Sequence, residues 1–269
     1  MVLSLQLYSL NLRRQIAINM KRIFAILISV ISLSICHKAL AQDDVYLVPN
    51  PQTARWSYIE TDSNGKKVST IYNSIESIEG NAVNGKIKMR IEEVPVGSPK
   101  DTVKSFILYR FKDGEFMVDM NAMFEGDILA TFVGDAIAEE GSDVSEKEMK
   151  EAIEKVKSQF KITGEIRGIP RYPEVGPLPD YEFQFKVSVI SMSVSGENRR
   201  IVGTERIQTE AGSFDCFILE ETLTTKAMMV KDVERTKSWY AYGIGLVKEA
   251  TYDKKGKLLS TMILNKINW

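Results

Sequence analysis

Lys86 to Glu92 alternates without a break: Ile87, Met89 and Ile91 fall on one side, and Lys86, Lys88, Arg90 and Glu92 on the other. A period of two is the geometry of a β-strand with one wet face, and a helix would scatter those three apolar side chains around its circumference. Burying each of them contributes about 1.5–3 kcal/mol, so a one-residue slip forfeits several kcal/mol and the register is pinned. Similar runs recur. Phe106 to Phe111 is apolar on both sides, which predicts a strand covered on both faces. Tyr181 to Ser195 begins with Phe183, Phe185, Val187 and Val189 on one side, then changes phase to Ile190, Met192 and Val194. That change predicts a β-bulge near Val189–Ile190 inside one long bent strand. Arg199 to Thr209, a turn at Ala211-Gly212 and a run from Phe214 predict two further strands, with Phe214, Cys216 and Ile218 sharing a face.

Turn chemistry separates these runs. Ser63-Asn64-Gly65, Asp113-Gly114, Gly196-Glu197-Asn198 and Lys254-Lys255-Gly256-Lys257 all suit tight hairpins. One interruption is helical: Ser145-Glu146-Lys147-Glu148 is a capping box, and Met149, Ile153, Val156 and Phe160 follow as a single apolar stripe. A second helix is expected over residues 124–138, although Ile128 to Val133 would also serve as a strand. Together they form a helical insert over residues 121–162, docked on the sheet. Pro170, Pro173, Pro177 and Pro179 then fix φ and remove amide donors, so residues 169–180 are expected to be an extended crossover. The expected fold is mainly β: a curved antiparallel meander or half-barrel of about ten to twelve strands, with one or two helices packed on it.

The N-terminal segment predicts export. Lys21-Arg22 forms a basic region after Met20, Ile23 to Ile35 is apolar, and Ala39-Leu40-Ala41 is a small-x-small cleavage site. Met20 is thus the expected start, residues 1–41 the leader, and residues 42–269 one β-rich domain. The apolar stretch falls short of the about 20 residues that span a bilayer, and no other stretch of the mature chain is a membrane-span candidate. Cys36 closes this stretch, but branched Ile35 before it disfavours a lipidation signal. A periplasmic or extracellular location follows. Removing the leader takes five basic residues and no acidic ones, leaving a formal charge of −6, which provides no footprint for nucleic acid.

Cleavage also removes His37 and Cys36, leaving Cys216 as the one cysteine and no histidine at all. Serine–histidine and cysteine–histidine chemistry is excluded, and so is a zinc site of the usual ligands. No cofactor and no metal is expected. Cys216 reads as a small buried hydrophobe. Carboxylates are the remaining catalytic equipment, but the neighbours in Glu92-Glu93, Glu139-Glu140 and Glu220-Glu221 face opposite sides of a strand. A glycosidase would have to recruit two acids from distant strands, about 5–9.5 Å apart. In Trp239-Tyr240-Ala241-Tyr242-Gly243-Ile244-Gly245-Leu246-Val247 the glycines suit a strand-to-strand turn, as does Gly212 earlier. Trp239, Tyr240 and Tyr242 are candidates either for packing or for a lip that holds a sugar or lipid.

Asn198 to Glu205, Thr209 to Cys216, the Trp239–Val247 string and the Lys254–Lys257 hairpin, with Tyr172-Pro173 before them, carry a family likeness. Over residues 170–267 the chain resembles the TapB-type family of exported bacterial proteins of unknown function. That resemblance implies an antiparallel sheet and carries no catalytic residue. The expected role is a non-enzymatic envelope protein that binds an apolar or polymeric ligand in a carrier-like curved sheet. The alternatives are an interaction module of an envelope assembly and a carboxylate-dependent hydrolase acting on glycans.

Overall fold

The computed structural model describes residues 53–269, except 82, 114, 120–144, 146, 149, 152, 153, 155–159, 171, 188, 189, 228 and 229. The leader, Cys36 and the second expected helix lie outside the described residues. The strands are β1 (Arg55–Asp62), β2 (Lys67–Gly80), β3 (Gly85–Pro95), β4 (Val103–Lys112), β5 (Glu115–Asp119), β6 (Phe160–Gly164) and β7 (Ile166–Pro170). They continue as β8 (Gly176–Pro177), β9 (Tyr181–Val187), β10 (Ile190–Thr209), β11 (Gly212–Ala227), β12 (Val230–Ala241), β13 (Gly245–Asp253) and β14 (Leu258–Asn268). All fourteen belong to one antiparallel sheet in the order β6-β9-β10-β11-β12-β13-β14-β1-β2-β3-β4-β5-β7, with β8 paired to β10. The mainly β expectation holds, with more strands than the ten to twelve expected. The extra ones are short pieces within the crossover and the expected helical insert.

The sheet curls because of its ends. β6 pairs with β9 at one end and β7 pairs with β5 at the other, yet only Glu165 separates β6 from β7. One chain segment therefore pairs on one flank in its first half and on the other flank in its second. Gly164 makes the change of direction at φ 87°. The sheet is not hydrogen-bonded into a closed barrel; it has an inner face and an outer face joined at this corner.

Alternation sorts side chains between those faces. Ile87, Met89 and Ile107 are fully buried on the inner face beside Tyr109, and Tyr58, Tyr240, Leu246 and Leu264 join them from the central strands. Phe106 and Leu108, expected to be covered, are only half-buried on the outer side of β4. The Lys88 ammonium 4.7 Å above the Phe106 ring provides part of that cover, so no second layer is needed there.

Three expected local features change. The phase shift after Val187 is a hairpin and not a bulge, because β9 pairs with β10 from Ile190↔Val187 onward. A two-residue loop pairs odd with even positions, and a bulge shifts parity in the same way, so the pattern alone does not separate them. Gly196-Glu197-Asn198 is not a hairpin but the irregular middle of β10, where the register shifts between Glu197 and Arg200 and Asn198 adopts φ 55°. Gly196 pairs with Tyr181, and a Cβ there would lie 2.3 Å from the Tyr181 ring. Finally, Phe160 opens β6 and does not end the helical stripe, so the helical part of the insert stops before residue 160.

The expected capping box is present: Ser145 Oγ and its amide both donate to Glu148 Oε2, and the Glu148 amide donates to Ser145 Oγ at 3.3 Å. Lys147, Glu148, Lys150, Glu151 and Glu154 are helical. The hairpins at Ser63-Asn64-Gly65 and at Lys254-Lys255-Gly256 share one device. Asp62 Oδ1 accepts from the amides of Asn64 and Lys66, and Asp253 Oδ1 accepts from those of Lys255 and Lys257. Between residues 169 and 180 the crossover is partly strand: Pro170 pairs with Glu115 and Pro177 with Arg200, both at margins of the sheet where a missing amide is tolerated.

Candidate functional site

The inner face is apolar over most of its area and polar along one band. Following the register, Ser238, Glu249, Met262, Glu60 and Ser69 form one row across β12, β13, β14, β1 and β2. Beside it, Glu221, Thr236, Thr251 and Ser260 form a second row across β11 to β14. Glu221, Glu249, Thr236 and Thr251 are buried, and each strand contributes them by the same alternation that brings its apolar residues inside.

Each carboxylate of these rows, the buried Glu221 and Glu249 and the part-buried Glu60, has a partner of its own. Arg199 Nε donates to Glu221 Oε2 at 2.9 Å, Ser238 Oγ to Glu249 Oε2 at 2.9 Å, and Ser69 Oγ to Glu60 Oε2 at 2.8 Å. Burial raises the pKa of all three carboxyls; for Glu221 the Arg199 charge opposes the rise, and for Glu249 the carboxylates of Glu221, Glu60 and Glu234 add to it. Glu234 is pushed up to about 7 by burial and by the charge of Asp232. The Tyr181 ring lies under the Arg199 guanidinium at 4.8 Å; among the described residues its buried hydroxyl has no hydrogen-bond partner, nor has Thr236 Oγ1.

A group whose folded pKa is raised contributes fully below its unfolded value, and that contribution is lost as pH rises through the folded value. Thermal unfolding is therefore expected to occur at a lower temperature at pH 8 than at pH 5. Glu249→Gln should flatten this dependence and raise the midpoint at pH 8. An unchanged slope in that variant would show that Glu249 stays charged in the folded protein.

Arg199 also holds the corner of the sheet. Its guanidinium donates to the carbonyl of Gly168 on β7 at 3.3 Å and to that of Pro179 at 2.7 Å, while its own carbonyl accepts from the Leu178 amide. One side chain thus joins β7, from one end of the sheet, to β10 and β11 near the other. Arg199 falls in the Asn198–Glu205 string and Glu221 in an acidic pair, but nothing local joins them: they lie 22 residues apart and meet only through the β10 irregularity.

The aromatic string from Trp239 divides between the faces. Tyr240 is fully buried inside and stacks on Phe217, with ring centroids 5.6 Å apart. Tyr242 is half-buried and meets Phe217 edge-on at 6.3 Å. Trp239 faces outward but is only 5% exposed. Lys248 and Lys237 lie over its ring at 4.7 and 5.3 Å, and its Nε1 donates to Glu205 Oε2 at 2.6 Å. Gly243 and Gly245 take φ 70° and 88° in the turn from β12 to β13, and Gly212 opens β11 at φ 139°. Trp239→Phe leaves a smaller aromatic ring and removes the indole N–H with its hydrogen bond to a carboxylate, so denaturant titration should show a loss of at least about 1.5–3 kcal/mol.

Cys216 is 1% exposed, and its thiol is pushed up to about 12, by burial first and then by Asp215 and Glu205. A native-state thiol titration is expected to find no reaction until the protein is unfolded. Among the described residues, no three of His, Cys, Asp and Glu gather to hold a metal ion, and no helix is long and apolar enough to cross a membrane. Two open grooves lie away from the buried carboxylates. One, of about 790 Å³, crosses β14, β1, β2 and β3; the other, of about 720 Å³, lies by the β2–β3 and β4–β5 hairpins.

The second half of this geometry has a family counterpart. Residues 145–264 match the DUF3108-like family. The match begins at the helix cap and runs through β6 to most of β14, farther upstream than the resemblance over residues 170–267, and it carries the DUF3108-like description and not the TapB-type one. Two crystal structures are similar in fold. A protein of Bacteroides fragilis, described as exported and as having a YmcC-like fold, superposes with a TM-score of 0.57 at 17% identity, covering 82% of this chain and 98% of its own. A protein of Parabacteroides distasonis, described as a lipoprotein, superposes with a TM-score of 0.59 at 18% identity, covering 84% and 100%. The latter description gives no support to excluding lipidation of this chain. Comparison with curated proteins finds no match.

Proposed function

We propose that this chain is an exported, non-enzymatic envelope protein that binds a polymeric envelope component on its outer surface. The observation carrying this reading is the contrast between a closed interior and open outer grooves. Ile87, Met89, Ile107, Tyr109, Tyr240, Leu246 and Leu264 are 0% exposed, so among the described residues no water-sized void adjoins them. An apolar carrier needs such a void, and this part of the inner face is filled by its own side chains. The buried acids Glu221 and Glu249 are likewise closed off against their own partners, whereas a hydrolase needs a carboxyl that reaches substrate. Open grooves on the outside suit a chain that runs past the protein. The export signal from Met20 to Ala41, and the exported and lipoprotein descriptions of the two structural neighbours, support the envelope location.

Protein purified from an envelope fraction and extracted for glycan and lipid mass spectrometry is expected to carry polymer fragments. Recovery of stoichiometric lipid instead would restore the apolar carrier. One observation favours the hydrolase alternative. Glu234, pushed up to about 7, pairs across strands with Asp253, whose carboxyl the turn amides hold below its ordinary range. Two acids driven apart in this way suit acid–base work, but Asp253 Oδ1 is already committed to the hairpin amides. Glycan turnover abolished by Glu234→Gln would establish that alternative.

A further inference from the structure

The larger groove has the chemistry of a saccharide platform. Two transverse rows in register supply most of its lining: Lys266, Ser57, Tyr72 and Glu92, and alongside them Asn268, Arg55, Ser74 and Arg90; Glu76 and the buried Trp56, Asn73 and Ile75 complete it. The rows cross four strands, so with 4.7–4.9 Å between neighbours they extend about 14 Å, enough for a few linked pyranose rings. Tyr72 stands in the middle and is 50% exposed, a large ring open to solvent amid polar neighbours. An aromatic ring of this kind offers an apolar face to the C–H side of a sugar, with a hydroxyl at its edge.

Both guanidiniums are already held. Arg90 Nη2 contacts Glu92 at 2.7 Å and Nη1 contacts Glu76 at 3.9 Å, while Arg55 Nη1 donates to the carbonyls of Thr53 and Ala54. Ordering them on binding therefore costs little. Three cations (Arg55, Arg90, Lys266) face two carboxylates (Glu76, Glu92), a near balance that suits a neutral polyhydroxylated chain better than a polyanion or a polycation. The smaller groove has comparable volume, but its lining of charged hairpin residues includes no half-exposed aromatic ring.

We propose that the groove across β14, β1, β2 and β3 binds a neutral linear glycan, with Tyr72 stacking on one ring and Arg90, Arg55 and Glu92 bonding to its hydroxyls. This assignment rests on the reading as a non-catalytic binder of an envelope polymer, and it names the site and the polymer class.

The test is isothermal titration of the purified processed protein against neutral hexose and N-acetylhexosamine oligosaccharides of two to six rings. Affinity should rise with ring number and stop rising once the groove is full. Tyr72→Ala should weaken binding about three- to tenfold, Tyr72→Phe should retain it, and Arg90→Met should weaken it with unchanged melting temperature. Glycan binding that Tyr72→Ala leaves intact would overturn this groove while keeping the binder reading. Binding only to phosphate-bearing glycans, steeply lost with salt, would overturn the neutral class. No binding to any glycan, with lipid or nothing recovered from the envelope preparation, would overturn both.

Discussion

Arg199→Met is expected to destabilise the protein by about 3–5 kcal/mol, because it leaves the Glu221 carboxylate buried without its partner. The effect should exceed that of an ordinary buried pair. The same guanidinium also satisfies the carbonyls of Gly168 and Pro179. At about 2–4 °C per kcal/mol for a domain of this size, the midpoint should fall by roughly 10 °C. Replacing both partners, as in Arg199→Met with Glu221→Leu, should regain much of the loss, since an apolar pair of similar volume carries no stranded charge. Urea titration of the three variants provides the comparison. A single variant losing less than about 1 kcal/mol would mean that solvent reaches Glu221.

Gly168→Ala should do comparable damage by a different route. A Cβ at this position would lie 1.9 Å from the Phe116 carbonyl oxygen and 2.6 Å from its ring, so the backbone of β5 or β7 must move. Overpacking of that kind costs about 1–3 kcal/mol, and more where backbone rather than a side chain must yield, as here. The displaced β7 also takes with it the Gly168 carbonyl that Arg199 uses. The Gly168→Ala and Arg199→Met losses should accordingly be less than additive, and a double-mutant cycle measures the coupling. Strict additivity would show that β7 and Arg199 act independently.

The sheet was legible in the sequence wherever one face is wet. Ile87, Met89 and Ile91 alternate with charged residues and are all buried, and the Asp62 and Asp253 turns carry their own amide acceptors. Features that depend on a partner far along the chain were not. Gly196 resembles a turn glycine, but it is a glycine because the Tyr181 ring from the neighbouring strand occupies the space of its Cβ. Phe160 continues an apolar spacing of four, yet it belongs to β6, where pairing with β9 overrides helical propensity. Trp239 was open to either a packing or a ligand role, because local sequence contains neither Glu205 nor Lys248 above its ring. The carboxylate band was invisible for the same reason: Glu60, Glu221 and Glu249 share a face only once β14 pairs with β1.

That last pairing joins two stretches that are otherwise built from successive hairpins, β1 to β5 and β9 to β14. Tyr58 pairs with Leu264, some two hundred positions away along the chain, so β1 and β14 must come together before the central rows exist. Each half can zip locally within microseconds, whereas joining them must await the costliest loop closure in the molecule. A backbone cut at Glu165 would leave that ladder intact, and the two resulting fragments, mixed after separate purification, should reassemble into the native sheet.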